Sequence, residues 1–318
     1  MQQKPMIILT GPTAVGKTAA SIGLAKAVGG EIISADSMQV YRHMDIGSAK
    51  ITPEEMQGVT HYMIDELEPD EEFHVVRFVT MAKEYLKEIY ADGKIPIIAG
   101  GTGFYIQALL YDIDFTEQQC DETYRRQLED LAREHGAEYL HGILREVDPA
   151  SAEAIHANNI KRVIRALEFY HLSGKKISEH NETERQKQSP YNFAYFVLTD
   201  ERAKLYERID RRVNAMIEAG LVEEVKKLKS MGCSREMVSM QGLGYKEILA
   251  YLDGGCTLEE AVYIIKRETR HFAKRQLTWF KRERDVIWLD KQAFGYDDAA
   301  ILTDMISILE EKEIISHE

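Results

Sequence analysis

The chain has 318 residues, 44% of them hydrophobic and 29% charged, with a formal net charge of −13. These values are ordinary for a soluble globular protein large enough for two domains, or for one domain with an insertion. No apolar run approaches the roughly 20 residues that span a bilayer, and Met6–Leu9 is too short for a secretory leader. The three cysteines, Cys120, Cys233 and Cys256, are too scattered for a disulfide framework or a zinc site, so a reducing cytoplasm is the expected location.

In chain order, Met6–Thr10 reads as a short buried strand and Lys17–Val28 as a helix. Glu31–Ser34 and Ile95–Ala99 are the next strands, with helices expected over Val75–Tyr90 and Tyr105–Leu110. Residues 116–190 are rich in charge and carry no convincing strand. Helical patterns there lie around Asp121–His135 and Asn159–Ser173, and Arg185–Pro190 reads as an exit linker. Strand character returns at Tyr191–Leu198 and Val286–Leu289, with a helix expected over Leu205–Lys229 between them. Apolar spacing at Ile301, Met305, Ile308 and Leu309 predicts a closing helix. Strands alternating with helices predict an α/β fold: a parallel sheet core with helices on both faces. The expected domains are residues 1–115 with 191–318 as the core, and 116–190 as a helical insertion.

Between the first strand and helix runs Gly11-Pro12-Thr13-Ala14-Val15-Gly16-Lys17-Thr18, a G-x-x-x-x-G-K-[ST] loop. Its glycines let backbone N–H groups turn toward an anion at a helix N-terminus. Lys17 adds a point charge, and the Thr18 hydroxyl is the usual magnesium ligand of such a loop. The core is therefore expected to be P-loop NTPase-like. Nucleotidases of this class pair the loop with a strand-terminal Asp. The strand Ile95–Ala99 ends instead in Gly100-Gly101-Thr102-Gly103, whereas Glu31–Ser34 leads into Asp36. Asp36 could serve the phosphate's magnesium, take a proton from a second substrate, or cap a helix.

Ser34–Lys50 is dense in polar and aromatic side chains and has little apolar periodicity, so it suits a surface loop better than core. Asn159–Gly174 reads as an amphipathic helix with Val163, Leu167 and Tyr170 on one face and Lys161, Arg162 and Arg165 as a cationic patch. Net acidity argues against a nucleic-acid partner, but charge is unevenly spread. Lys266–Arg284 holds Lys266, Arg267, Arg270, Lys274, Arg275, Lys281, Arg282 and Arg284 against Glu268 and Glu283 alone. A basic helix face of this kind suits phosphate-backbone contact.

The segments GPTAVGKT, SADSMQVYRHMDIGSAK, GGTGFYIQALL, RVIRALE, MIEAGLVEEV, GLGYKEI and TRHFAKRQLTWF resemble, in order, the motifs of the bacterial tRNA dimethylallyltransferase family. The resemblance covers most of the chain. It implies transfer of a dimethylallyl group from dimethylallyl diphosphate to N6 of adenosine 37 in tRNAs that read U-starting codons. On matching positions, it implies that Gly11–Thr18 holds the diphosphate and that Asp36 is the general base, with Lys17 and Thr102 at the reacting centre. It implies tRNA contacts at Asp36, Ser37, Met38, Gln39, Thr102 and Arg125, at Lys161, Arg162 and Arg165, at Gln241, Gly244 and Lys246, and at Arg270, Lys274 and Arg275. Magnesium near Thr18 and a monomeric state are also expected. Lys161 stands where the family has Gln, and the zinc finger of eukaryotic members has no counterpart here. Rival readings are a prenyltransferase acting on free AMP or ATP, which would need neither the insertion nor the basic patches, a P-loop metabolite kinase, and a nonenzymatic RNA-binding ATPase.

Overall fold

A computed structural model describes residues 3–115 and 121–316. The expected start of the insertion, residue 116, and Cys120 lie outside the described residues. The chain divides into two compact units, Met1–Leu110 with Pro190–Glu318, and Tyr111–Ser189.

The larger unit holds six parallel strands: β1 (Lys4–Thr10), β2 (Glu31–Ala35), β3 (His61–Tyr62), β4 (Pro96–Gly100), β5 (Tyr191–Thr199) and β6 (Val286–Asp290), in the spatial order β3-β2-β4-β1-β5-β6. Its helices are α1 (Lys17–Val28), α2 (Pro53–Met56), α3 (Val75–Ala91) and α4 (Gly103–Leu110), and, after the smaller unit, α10 (Arg202–Glu218), α11 (Leu221–Ser230), α12 (Tyr245–Leu252), α13 (Leu258–Phe280) and α14 (Asp298–Glu311). Side chains alternate across a strand. Ile7 and Leu9 of β1 join Ile22 and Leu24 of α1 and Ile301, Met305 and Leu309 of α14 in one core cluster. Met6 and Ile8, on the other face of β1, are equally buried, and α3 packs against β2 and β4. A sheet covered on both faces reads as near-continuous apolar runs, as MIIL and PIIA do here.

The smaller unit is helical: α5 (Glu122–His135), α6 (Ala137–Val147), α7 (Pro149–Ala154), α8 (Ile160–Ser173) and α9 (Ile177–Gln186). Leu128, Leu140, Leu144, Val163, Ile164 and Leu167 form its core. Asp148 is 1% exposed and ties α7 to α9. Burial alone would raise its carboxyl, but hydrogen bonds from the hydroxyls and backbone N–H groups of Ser151 and Ser178 hold it below the ordinary value.

Several sequence expectations need correction. Leu205–Lys229 is not one helix; it breaks at Ala219-Gly220, where Gly220 has φ 103° and opens α11. The strand β3 escapes pattern reading because it has only two residues. Arg185–Pro190 is not wholly linker, since α9 continues to Gln186. Tyr170 is 38% exposed rather than packed with Val163 and Leu167, and Phe169 takes the buried position.

Glu168, on α8, is 1% exposed, and Arg125 of α5 meets it with Nε 2.8 Å from one carboxylate oxygen and Nη2 2.7 Å from the other. The Arg125 side chain is 42% exposed, so water weakens the pair. Arg125→Ala is expected to lower the stability of this unit by about 1 kcal/mol, read by denaturant unfolding with hydrogen exchange on α5–α8. Unchanged protection there would contradict a stabilising role for the pair.

Candidate active site

The site is built at the carboxyl ends of β1, β2 and β4, where open parallel sheets place ligands. After β1 the chain turns left-handed at Ala14 (φ 63°) and Gly16 (φ 103°) and enters α1 at Lys17. Lys17 Nζ donates to the carbonyls of Gly11 at 3.1 Å and Pro12 at 3.0 Å. Pro12 and Val15 are buried; Thr18 is exposed at the mouth of the loop.

Lys17 and Thr18 line one cavity of about 60 Å³ together with Ser34, Asp36, Gln39, His61 and Gly100. Asp36 follows β2 and accepts the backbone N–H of Met38 at 2.8 Å. No helix follows it directly, so this is a tight turn made by its own side chain, and the helix-cap reading fails. Thr102 follows β4; its backbone N–H donates to the Ala35 carbonyl at 3.1 Å, which sets the β4 end beside the β2 end that bears Asp36.

Two later helices complete the site. Arg208 of α10 ion-pairs with buried Asp200 and donates Nε to the Ala14 carbonyl at 3.0 Å. One turn on lies half-buried Arg212, within electrostatic reach of Lys17 and Asp36. Burial pushes the Lys17 ammonium down to about 8; Arg212 repulsion adds to this and Asp36 opposes it. Burial also lowers the Arg212 guanidinium, with Asp36 and Glu55 opposing. Two partly buried cations lie within electrostatic reach of Asp36, an arrangement that favours an incoming polyanion. From α13, Gln276 accepts the Thr13 N–H at 2.9 Å and donates to the Gly101 carbonyl at 2.9 Å, joining the phosphate loop to the strand end that carries Thr102.

The remaining expected residues are more dispersed. Ser37 is half-buried, and Met38 packs on Gly242. Gln39 lies within 3.4 Å of Ser34 Oγ, and its Nε2 donates to the Ala49 carbonyl at 3.1 Å. Gln241 is exposed and donates to the Arg235 carbonyl; Gly244 is buried at the start of α12, and Lys246 stands 3.7 Å from Glu247. On α13, Arg270 is committed to Asp210, at 2.7 and 2.8 Å, while Lys274 and Arg275 are exposed. In the smaller unit Lys161 and Arg162 are exposed and Arg165 half-buried. Sequence reasoning missed Arg208, Arg212 and Gln276. The signal was present for the two arginines: they sit four residues apart beside the apolar stripe Leu205, Ile209 and Val213, and so share one helix edge.

Among the described residues, no group of three His, Cys, Asp or Glu could cage a metal. Magnesium commonly takes one or two protein oxygens plus phosphate oxygens and water. The Thr18 hydroxyl, lining the cavity, fits that donor set as the protein oxygen.

The fold and site define a P-loop α/β protein whose loop lysine and threonine share a cavity with the carboxylate of Asp36. The family model described as IPP transferase matches residues 39–283, and the chain belongs to that family. It is 66% identical over 98% of its length to a tRNA dimethylallyltransferase of Lachnoclostridium phytofermentans, covering 99% of that protein. It is 52% identical to the enzyme of the same name from Acetivibrio thermocellus, over 93% of this chain and 95% of the other. Among solved structures it resembles the tRNA isopentenylpyrophosphate transferase of Bacillus halodurans, with 45% identity, a TM-score of 0.74 and 98% of each chain covered. It also resembles a eukaryotic dimethylallyltransferase acting on tRNA, with 29% identity, a TM-score of 0.81, and 99% of this chain and 81% of that one covered.

The Lys17 ionisation is testable. A diphosphate binds the protonated ammonium, so affinity is expected to be full well below pH 8 and to fall as pH rises through about 8. Calorimetric titration with inorganic pyrophosphate reads this. Lys17→Arg should remove the decline, and Arg212→Gln should move it to higher pH by removing the repulsion. A flat profile in the native protein would show that Lys17 does not hold the anion.

Proposed function

We propose that this protein transfers a dimethylallyl group from dimethylallyl diphosphate to N6 of adenosine 37 in tRNAs that read U-starting codons, releasing diphosphate. The observation that carries the reading is the sharing of one cavity by Lys17, Thr18 and Asp36, with Arg212 close to both charged groups. The adenine amine is a poor nucleophile because its lone pair is delocalised into the ring. Asp36 accepts the N6 proton as the N6–carbon bond forms and the carbon–oxygen bond to the diphosphate breaks. The loop N–H groups, Lys17 and Arg212 hold the charge that grows on the leaving diphosphate. Magnesium, when bound, would be held by the Thr18 hydroxyl with the substrate's own oxygens and would neutralise part of that charge. Thr102, at the neighbouring strand end, borders the reacting centre.

The target base is drawn out of its stack, as enzymes acting on bases require. The tRNA contacts are assigned to Asp36–Gln39, Thr102, Gln241, Gly244 and Lys246, to Lys274 and Arg275 with Arg270, and to Arg125, Lys161, Arg162 and Arg165 of the smaller unit. Exposed cations on α13 and α8 favour tRNA over free AMP, which needs no extended basic surface. The lack of a carboxylate in Gly100–Gly103 disfavours the kinase reading. No described helix is long and apolar enough to cross a membrane, and the protein is proposed to act as a cytoplasmic monomer.

Incubation with labelled dimethylallyl diphosphate and either whole tRNA or AMP should place the label in tRNA; preferential labelling of AMP would overturn the reading. Asp36→Asn should lower turnover by about 10²- to 10⁴-fold with tRNA affinity largely kept. A loss confined to tRNA affinity would contradict the base role. Neutralising Lys274 and Arg275 together should flatten the salt dependence of tRNA binding by about 1 to 2 in log–log slope. An unchanged slope in filter-binding titrations would remove α13 from the RNA surface.

A further inference from the structure

The segment from Asp36 to Lys50 is loop throughout, yet it is held more tightly than most loops. The backbone N–H groups of Asp45, Ile46 and Gly47 all donate to the Glu224 carboxylate, at 3.0, 2.7 and 3.1 Å. Glu224 lies in the first turn of α11. The Tyr245 hydroxyl, at the start of α12, donates to the same carboxylate at 2.8 Å and accepts the Ser48 N–H at 3.1 Å. Hydrogen bonds to an ionised acceptor are roughly twice as strong as neutral ones. Three successive N–H groups converging on one point make a concave anion site, and here the protein fills it with its own side chain.

The fit is also steric. Tyr245 is fully buried, and its ring lies against Gly47: a Cβ at that glycine would come within 2.5 Å of the ring carbon Cζ. At the other end of the segment, Met38 lies against Gly242, where a Cβ would come within 2.5 Å of its terminal methyl. The far end is linked back to the cavity. Gln39, which lines it with Asp36, donates to the Ala49 carbonyl at 3.1 Å. Lys50 closes the base of the loop through the Tyr41 carbonyl at 2.7 Å and Asp45 at 2.6 Å. Glu224 and Tyr245 do not line that cavity.

We infer that Glu224 and Tyr245 are positioning residues for the acceptor side of the reaction: they hold Asp36–Lys50 in the one shape that presents the target base to Asp36. This rests on the assignment of Asp36–Gln39 to the target nucleotide. The clamp acts on tRNA placement and on the chemical step, and leaves the diphosphate grip untouched. Misplacing a reacting group by about 1 Å costs up to the order of 10²-fold in rate.

The test compares Glu224→Ala, Glu224→Gln and Tyr245→Phe in the full-length protein. Tyr245→Phe removes one hydroxyl and keeps the ring, so it preserves the fold. Steady-state prenylation of tRNA gives kcat and KM per active site, counted by binding of dimethylallyl diphosphate. Glu224→Ala is expected to lower kcat/KM for tRNA by about ten- to a hundredfold, consistent with loop misplacement. Tyr245→Phe should lose less, and Glu224→Gln, which keeps an acceptor oxygen, should recover part of the loss. Dimethylallyl diphosphate affinity should stay within about twofold of the native value in all three. The inference is overturned if kcat and KM per active site are unchanged, or if diphosphate affinity falls as much as tRNA turnover. Asp36→Asn in the same assay separates the two readings: full activity there defeats the base assignment whatever the clamp variants do.

Discussion

Lys17 and Arg212 are partly buried cations that couple to each other and to Asp36, and that coupling shapes what the site can do. Like charges close together in low dielectric repel strongly unless a counter-charge is supplied. Asp36 offsets part of this, and its lone pairs are those proposed to receive the proton. Cations gathered in this way favour a polyanionic substrate. A nucleotide kinase uses a comparable loop to move a phosphoryl group; here the same cradle suits a diphosphate that stays whole while its carbon leaves.

The groups that create this imbalance come from distant parts of the chain. The loop belongs to residues 11–18, yet Arg208 fixes the Ala14 carbonyl, Arg212 supplies the second cation, and Gln276 bridges Thr13 to Gly101. Each brace acts on backbone atoms, which limits how the loop can drift. Because α13 holds Gln276 on its buried face and Lys274 and Arg275 on its exposed one, the helix that steadies the loop Gly11–Thr18 also presents the cations proposed to meet RNA.

The strands of the core were legible because doubly covered parallel strands are short apolar runs bounded by glycine, as at MIILTG and PIIAGG. Lys17–Val28 was legible to the residue, since the loop motif dictates where its helix starts. The strand His61–Tyr62 was not, because two residues carry no period. The break at Gly220 was hidden by apolar spacing that continues across it. At the site, motif residues could be read locally and Arg212 carried a faint helix-edge signal, whereas Gln276 gains its role only from three-dimensional proximity to residues 175 and 263 positions away. Asp36 shows the opposite case. Its residue type suited a helix cap, but the chain after it makes a turn, and the carboxylate is left facing the cavity.

The sheet order also has a bearing on how the protein is made. Strand β1 sits between β4 and β5, and β5 begins only at Tyr191, after the whole helical unit has been synthesised. During that interval the first four strands can pair, but one edge of β1 has no partner and its apolar residues have no second neighbour. At about 5–20 residues per second, the roughly 90 residues between β4 and β5 keep that edge open for on the order of 5 to 20 seconds on the ribosome. A long, flat, apolar edge is the surface that recruits wrong strands. That edge of β1 stays open until Tyr191–Thr199 has been made and pairs with it along its length.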